Sequence, residues 1–362
     1  MKIPVPTSDP SSATPGEKAR MIQAVERGNR SKWWRRNGTK KSGFRYHDAA
    51  GRAITDQAHL DRISALVIPP AWKHVRISPS ASGRLQALGI DGMGRLQYLY
   101  HSKFREKREK AKYKKIEEFG RHLPKLRRAA NKHFKIKGFP REKVLALMVR
   151  LVNQLYFRAG AGRSVKQYRT YGITTLQNRH LKIERQGTLI FDFVGKSHIK
   201  HRKVLVDPEI AGQLAKLKEL GPSRKLFHYL DNEGNIRPVT ASDLNAYIKA
   251  LTTRDFSVKD FRTWGGTVMT AAQLARKGPA EDERGLKKNI VAVIKNVAET
   301  LGNTPTVCRS SYVHPLVLKA YESGTTIRDF IEAAKEIRSG ERGLDLDERL
   351  LLRLFENAAK GG

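Results

Sequence analysis

Leu301-Gly-Asn303-Thr-Pro-Thr-Val-Cys-Arg-Ser-Ser-Tyr312 is the stretch on which the reading of this chain turns. Residues 281–301 before it read as one long helix, and Gly302 is the stop that such a helix needs, since glycine takes the left-handed conformation without steric cost. The stretch then ends on a tyrosine, nine residues after Asn303. Further upstream, Ser257-Val-Lys259-Asp260 is a capping box that opens a helix toward Arg276 and places Arg262 near its start. Val144, Leu145, Met148, Leu151, Val152 and Leu155 recur at helical spacing and run into Tyr156-Phe-Arg158. Between these helices, Leu181 to Glu184, Thr188 to Val194 and Lys203 to Val206 read as three strands, with Gly187 and Gly195 in the turns. Lys196 falls in the second turn. The pattern predicts a mainly helical domain with a three-stranded β insert, followed by helices over Thr326 to Glu336 and Leu346 to Ala359.

Toward the N-terminus the period changes. Phe44-Arg45-Tyr46 alternates, Ala49-Ala50-Gly51 reads as a turn, and Gln57 to Ala65 reads as a short helix. Strands near Val75 to Ser78 and Gly94 to His101 flank a glycine-rich link. Residues 102–137 are strongly basic, with Lys103, Arg105, Lys107, Arg108 and Lys110 interleaved by Glu106 and Glu109, a pattern that suits helical i,i+4 pairs. This segment reads as a basic connector that wraps DNA, against the plainer reading of a solvated face. The fold class expected is α+β: a small, mostly β N-terminal domain and a larger, mainly helical one. The boundaries are a flexible basic leader over 1–42, a β-rich DNA-binding domain over 43–104, a catalytic domain over 105–340 and a helical tail over 341–362. Pro4, Pro6, Pro10 and Pro15 among Ser and Thr mark the start of the leader as disordered. The basic stretch with Trp33 and Trp34 reads equally as a phosphate contact and as a loop around an aromatic anchor. The tail has no role legible in the sequence.

Composition narrows the function classes. Across 362 residues, Lys plus Arg number 70 against 35 Asp plus Glu, a net charge of +35. Such an excess repels itself in a compact chain and gains by releasing the counterions condensed on a polyanion. Duplex DNA is the partner expected. A single cysteine, Cys308, allows no intrachain disulfide and fits a reducing compartment. No apolar run approaches the roughly 18 residues of a membrane span, and no signal-peptide core is present. The location expected is cytoplasmic and nucleoid-associated. No phosphate-binding Gly-rich loop of the Gly-Lys-Ser/Thr type occurs, and His198 with His201 does not make a metal cluster. No nucleotide, metal or other cofactor is expected.

Breaking a DNA backbone without a metal requires a nucleophile, cations for the phosphorane-like transition state, and an acid for the leaving 5′ oxygen. Arginine suits the cation role through its fixed charge and planar fork. Lysine suits the acid because its pKa moves readily. Tyr156-Phe-Arg158, Phe193-Val-Gly-Lys196, Lys259-Asp-Phe-Arg262 and the stretch ending on Tyr312 supply these parts in order. Taken singly, each Arg or Lys reads as surface charge and the tyrosine as packing. Their order and local sequence carry the signal.

Here the chain resembles the type IB DNA topoisomerases, in the compact form of poxviruses and some bacteria, over roughly residues 43–325. The pieces are Ile68-Pro-Pro-Ala-Trp72, Gly94-Arg-Leu-Gln-Tyr-Leu-Tyr100, Tyr156-Phe-Arg158, Phe193-Val-Gly-Lys196, Lys259-Asp-Phe-Arg-Thr263, Gly302-Asn-Thr-Pro305 and Ser310-Ser-Tyr312. The resemblance implies that Tyr312 forms a 3′-phosphotyrosyl bond, that Arg158 and Arg262 bind the non-bridging oxygens, that Lys196 is the general acid and that Lys259 assists. Asn303 stands where the poxviral and nuclear enzymes have histidine; it can donate a neutral hydrogen bond but never carry charge, so weak pH dependence around pH 6 to 7 is expected from it. The resemblance further implies a bacterial source and a C-shaped clamp around the duplex, and a monomer is expected because one active site serves one strand.

In the small domain, Tyr98 and Tyr100 share one face of the expected strand and Gln97 lies beside them. Gln can pair with adenine edges, and tyrosine can meet phosphate or thymine methyls, against the reading that both tyrosines pack in a small core. Arg95 and Arg108 fall at basic positions of the poxviral relatives, and Lys166 is a further candidate DNA contact. Two rivals stand beside this reading. Tyrosine recombinases share the nucleophile and arginines but usually carry His-x-x-Arg where this chain has Lys259-x-x-Arg262. A non-catalytic DNA clamp would explain the charge but not the ordered chemical positions.

Overall fold

The computed structural model describes residues 15–92 and 94–360 of the chain. It divides into two compact units, Met1–Lys112 and Tyr113–Gly362. The first holds α1 (Pro15–Val25), β1 (Trp34–Thr39), β2 (Gly43–His47), α2 (Gln57–Ala65), β3 (Lys73–Ile77), β4 (Leu85–Ile90) and β5 (Leu96–Tyr100). Its strands form one antiparallel sheet in the order β2-β1-β3-β4-β5. Trp34, Val75, Ile77 and Ala87 pack with Ile63 of α2, whereas Leu88 and Ile90 pack with Val25 of α1. The sheet therefore buries side chains on both faces, as alternation along each strand requires.

Two expectations for this unit are corrected. The glycine-rich link between strands contains β4, five of whose six residues are buried. A central strand covered on both faces does not alternate, which is why it carries no period-two signal. The leader expected over 1–42 contains α1 and β1; its first fourteen residues lie outside the described residues. Basic residues suit β1 because their charge is satisfied locally. The Arg36 guanidinium donates to the carbonyls of Ile68 (3.2 Å), Pro69 (3.1 Å) and Trp72 (2.7 Å) and lies 4.1 Å from the Phe44 ring centroid.

Helix α3 (Ser102–Phe134) carries the chain into the second unit, where Ile116, Phe119, Leu123, Leu126 and Phe134 are buried along its inner stripe. There follow α4 (Arg141–Leu155), α5 (Gly162–Tyr168), the antiparallel sheet β6 (Leu181–Ile183), β7 (Thr188–Val194) and β8 (Lys200–Val206), α6 (Pro208–Glu219), and the hairpin β9 (His228–Leu230) with β10 (Ile236–Pro238). Then come α7 (Ala241–Thr252), α8 (Val258–Lys277), α9 (Glu283–Leu301), α10 (Pro305–Tyr312), α11 (Pro315–Glu322), α12 (Ile331–Lys335) and α13 (Leu346–Lys360). Helix α8 is the axis of this unit, packed by α4, α7, α9, α10, α11 and α13.

The stretch expected as a separate tail over 341–362 is part of that packing. Leu350, Leu351, Leu352, Leu354 and Phe355 of α13 are buried. Glu348 takes two hydrogen bonds from Arg127 (2.7 and 2.9 Å) and one from the Trp264 indole (2.9 Å). A buried carboxylate needs that many donors to offset its desolvation. Among the described residues, no helix is long and apolar enough to cross a membrane.

Candidate active site

Helix α4 ends because Tyr156 turns into the left-handed region, at φ 54°, ψ 41°. That turn exposes the Tyr156 carbonyl, which accepts from Nη1 of Arg262, while Nη2 of Arg262 donates to the Leu301 carbonyl at 2.7 Å. Arg262 is only 2% exposed. Arg158, two residues past the turn, donates to the Gly302 carbonyl at 2.9 Å and to Oδ1 of Asn303. Both guanidiniums are thus held at the C-terminal end of α9, where unpaired carbonyls concentrate negative partial charge. Gly302 makes this end possible: it sits at φ 61°, ψ 56°, and its own N–H closes back on α9.

The electrostatics suit an anionic partner. Among the described residues, no carboxylate pairs with Arg158, Arg262, Lys196, Lys203 or Lys259, although 21 ion pairs form elsewhere. Nε of Arg262 and Nδ2 of Asn303 are buried and lack a hydrogen-bond partner. Each orphaned donor costs on the order of 1–3 kcal/mol. Two of them beside two uncompensated arginines form a ready-made receptor for a phosphate group.

Tyr312 ends α10 beside this pocket, with the Arg262 guanidinium 5.0 Å from its ring centroid. Its backbone is seated on α8. A Cβ on Gly266 would stand 2.6 Å from the Tyr312 carbonyl oxygen, so only glycine permits that approach. The next residue, Thr267, accepts the His314 N–H at 3.1 Å and donates to the Thr263 carbonyl at 2.7 Å, which fixes the chain just past the tyrosine. One helix therefore positions both the arginine and the tyrosine backbone.

The two tyrosines of the site differ sharply. Burial pushes both phenols up. For Tyr156 nothing outweighs it, and Glu348 and Asp345 add to it, so its pKa rises to about 12. For Tyr312, burial is outweighed by Arg262, with Arg158 and Lys259 contributing, and the hydroxyl falls below its usual 10. Arg262 itself is lowered to about 10 by burial and by Arg158, and remains charged at neutral pH. Tyr312 is the phenol whose anion this pocket favours.

Of the residues expected from sequence, Arg158, Arg262, Asn303 and Tyr312 come together, and Lys259, exposed on the first turn of α8, adds its charge. Lys196 lies exposed in the β7–β8 turn, and among the described residues its side chain makes no hydrogen bond or ion pair. Lys166 is exposed on α5. In the first unit, the rings of Tyr98 and Tyr100 stack with centroids 6.2 Å apart, and Arg108 lies 6.0 Å over Tyr100. Asp91 takes a hydrogen bond from Gln97 and pairs with Arg95, each at 2.8 Å. No group of three or more His, Cys, Asp or Glu among the described residues is placed to hold a metal ion.

Sequence reading set His201 aside as no metal ligand and gave Lys203 only a place in a strand, and assigned neither to the site. They alternate with exposed Arg202 and Val204, so they share one face of β8. That alternation was the available signal, and the basic composition hid it. The His201 ring stacks on Phe193 at 5.0 Å and fills the space in which a side chain on Gly195 or Gly302 would stand. Burial first, then Lys203, Arg158 and Arg262, push its pKa down to about 4; burial and Arg179 do the same to His180. Both rings are neutral when folded, whereas in the unfolded chain they take up protons below about 6.5. Their stabilising contribution is full above pH 6.5 and is lost as pH falls toward 4. Thermal melts should show the melting temperature dropping across that window, and His201→Gln should flatten the drop. A melting temperature independent of pH between 6.5 and 4 would refute the assignment.

Comparison with known proteins gives a consistent answer. Residues 101–339 match the family model described as eukaryotic DNA topoisomerase I, catalytic core, and residues 43–91 match bacterial DNA topoisomerase IB, N-terminal domain. The chain is 32% identical over 293 residues to DNA topoisomerase 1B of Acanthamoeba polyphaga mimivirus, covering 78% of this chain and 87% of that one. It is 26% identical over 242 residues to DNA topoisomerase 1B of vaccinia virus, covering 65% and 72%. DNA topoisomerase 1 beta of Arabidopsis thaliana is 26% identical over 247 residues, covering 66% of this chain and 25% of the plant protein.

Proposed function

The chain belongs to the type IB DNA topoisomerases, isomerases that act on DNA, and we propose that it relaxes supercoils of both signs through a transient break in one strand, without ATP or metal. The observation that carries this reading is the pocket itself: two guanidiniums without carboxylates, two orphaned donors, and one phenol held below its usual pKa. In the proposed reaction, the Tyr312 phenol oxygen attacks the scissile phosphorus and its proton leaves to water. Arg158, Arg262 and the Asn303 amide take up the non-bridging oxygens as negative charge grows. The bond to the 5′ oxygen breaks, and that oxygen receives a proton from Lys196, whose side chain is exposed at the β7–β8 turn. A 3′-phosphotyrosyl ester and a free 5′-hydroxyl result.

One ester has replaced another, so little free energy is lost, and the same steps run backward reseal the strand. Torsional strain in the DNA drives the net change, and no nucleotide is required. Asn303 cannot titrate, so the pocket itself contributes no step near pH 6 to 7. The first unit would read the duplex through Arg95, Gln97, Tyr98, Tyr100 and Arg108, with Lys166 on the second unit's side. Asp91 pre-orients Gln97 for that role. The clamp of both units around DNA, the monomeric state, the domain roles and the nucleoid location belong to the same proposal.

The test is plasmid relaxation in EDTA without nucleotide, on negatively and positively supercoiled substrates. Both should relax through intermediates differing by single linking steps. Stopping the reaction with detergent should trap a nicked strand whose 3′ end is bound to the peptide holding Tyr312. Dependence on magnesium or ATP, or a 5′ linkage, would overturn the reading. A site-specific recombinase would instead show strand exchange between two DNA sites, and a clamp would show no nick.

A further inference from the structure

Lys203 stands in the middle of β8, opposite Phe191 in register, four positions nearer the core than the exposed turn that carries Lys196. Its ammonium donates to the Thr300 carbonyl at 3.2 Å and lies 6.0 Å over the Phe157 ring. Thr300 is on the last turn of α9, the same helix end whose Leu301 and Gly302 carbonyls anchor Arg262 and Arg158. Phe157 directly precedes Arg158. Lys203 therefore shares its anchorage with both catalytic arginines, on a third element of the fold. The charged and titratable groups around it are Arg158 from the segment after α4, Arg262 from α8, and His201 from its own strand. No carboxylate among the described residues pairs with it, and a stabilising role within the free protein does not explain a third cation there.

We infer that Lys203 supplies the phosphate pocket of Arg158, Arg262 and Asn303 with a third positive charge, one that can be given up where the arginines cannot. The inference rests on the topoisomerase reading of that pocket. Burial first, then Arg262 and Arg158, lower the lysine to about 8, while the α9 carbonyl works in its favour. With an anionic phosphate bound, the charged form gains. Lys203 thus strengthens the pull on the non-bridging oxygens at neutral pH and releases it under alkaline conditions. Tyr312 responds oppositely, because alkali favours its reactive anion. The two together shape the pH dependence of cleavage.

The decisive experiment is single-turnover cleavage of a nicked duplex, followed from pH 6 to 9.5, for the unsubstituted protein, Lys203→Met and Lys203→Arg. The unsubstituted rate should bend downward on the alkaline side of about pH 8, because bound phosphate favours the charged lysine. Lys203→Met should be slower at pH 7 by on the order of ten- to a hundredfold, with DNA affinity little changed. Its deficit should then shrink as pH rises through that bend, where the lysine of the unsubstituted protein loses its proton too. Lys203→Arg should keep the fast rate and lose the downward bend. A methionine deficit that stays constant with pH would mark a merely structural role and overturn the inference, as would equal rates at pH 7. If Lys203→Met does not melt cooperatively, the bend decides: its persistence in Lys203→Arg refutes the proposal and its loss supports it. Failure of the unsubstituted protein to form any Tyr312-linked strand would instead sink the underlying reading, and this inference with it.

Discussion

Tyr312→Phe should relax no plasmid and form no covalent complex, while binding duplex DNA as the unsubstituted protein does. The substitution removes one oxygen, the one proposed as the nucleophile. No neighbouring group replaces it: Tyr156 is held protonated with a pKa near 12, and Tyr321 donates its hydroxyl to the Gly278 carbonyl at 2.7 Å. The fall should reach the detection limit, well beyond the roughly 10²–10³-fold cost of removing a single stabilising donor. Binding should survive because the ring remains. Arg262 keeps its aromatic partner at 5.0 Å, and the cations that meet phosphate are untouched. The protein should stay folded too, since the Gly266 and Thr267 contacts are with backbone. Gel shifts and salt titrations of affinity measure the first claim, and relaxation with detergent trapping the second. Residual relaxation above about one part in 10⁴ would point to another nucleophile.

The parts of this site that were legible in the sequence are those set by local chemistry. The Ser257 capping box opens α8 and Gly302 ends α9, because each residue type satisfies a local backbone demand, whereas Gly195 leaves room for the His201 ring. The residues proposed as catalytic were named from resemblance and order. What stayed hidden depends on tertiary contact. β4 lacks alternation because both its faces are covered. β1 looks like a solvated basic loop until Arg36 is seen to cap three carbonyls from residues more than thirty positions away. The Trp264-Gly-Gly-Thr267 run reads as a helix with two weak positions. In the fold, Gly265 makes room for the Tyr156 ring and Gly266 for the Tyr312 backbone, so the residues that weaken α8 in isolation assemble the site. The role of α13 was hidden for the same reason. Phe355 rests on His314 with centroids 4.7 Å apart, two residues past Tyr312, across a sequence gap that no local pattern spans.

Arg262→Lys should be nearly as damaging as loss of the nucleophile, although it keeps the charge. The guanidinium does three things with one planar group. Nη1 holds the Tyr156 carbonyl, Nη2 holds the Leu301 carbonyl, and buried Nε is left without a partner for the phosphate. A lysine ammonium is a point donor on a longer, freely rotating stem and cannot span the C-cap of α4 and the end of α9 at once. At least one of those carbonyls should lose its donor, at about 1–3 kcal/mol. The same burial and the same Arg158 neighbour that lower the arginine to about 10 act more harmfully on a lysine, whose ordinary value is about 10.4. An ammonium at this position therefore holds its proton less firmly than the guanidinium does, and the fork is lost in any case. Cleavage should fall by on the order of 10³-fold or more, combining a lost donor with the lost planar fork. The melting temperature should fall as well. Tyr312 should titrate higher, since Arg262 is the largest influence holding it below 10. Single-turnover cleavage, thermal melting and ultraviolet titration of the phenols check the three effects separately. Arg158→Lys provides the internal contrast: its anchors are the Gly302 carbonyl and Asn303, in a less buried setting, so cleavage should suffer there with a smaller loss of stability. Equal melting temperatures for the two variants would mean that the carbonyl bridge of Arg262 is not what joins α4 to α9.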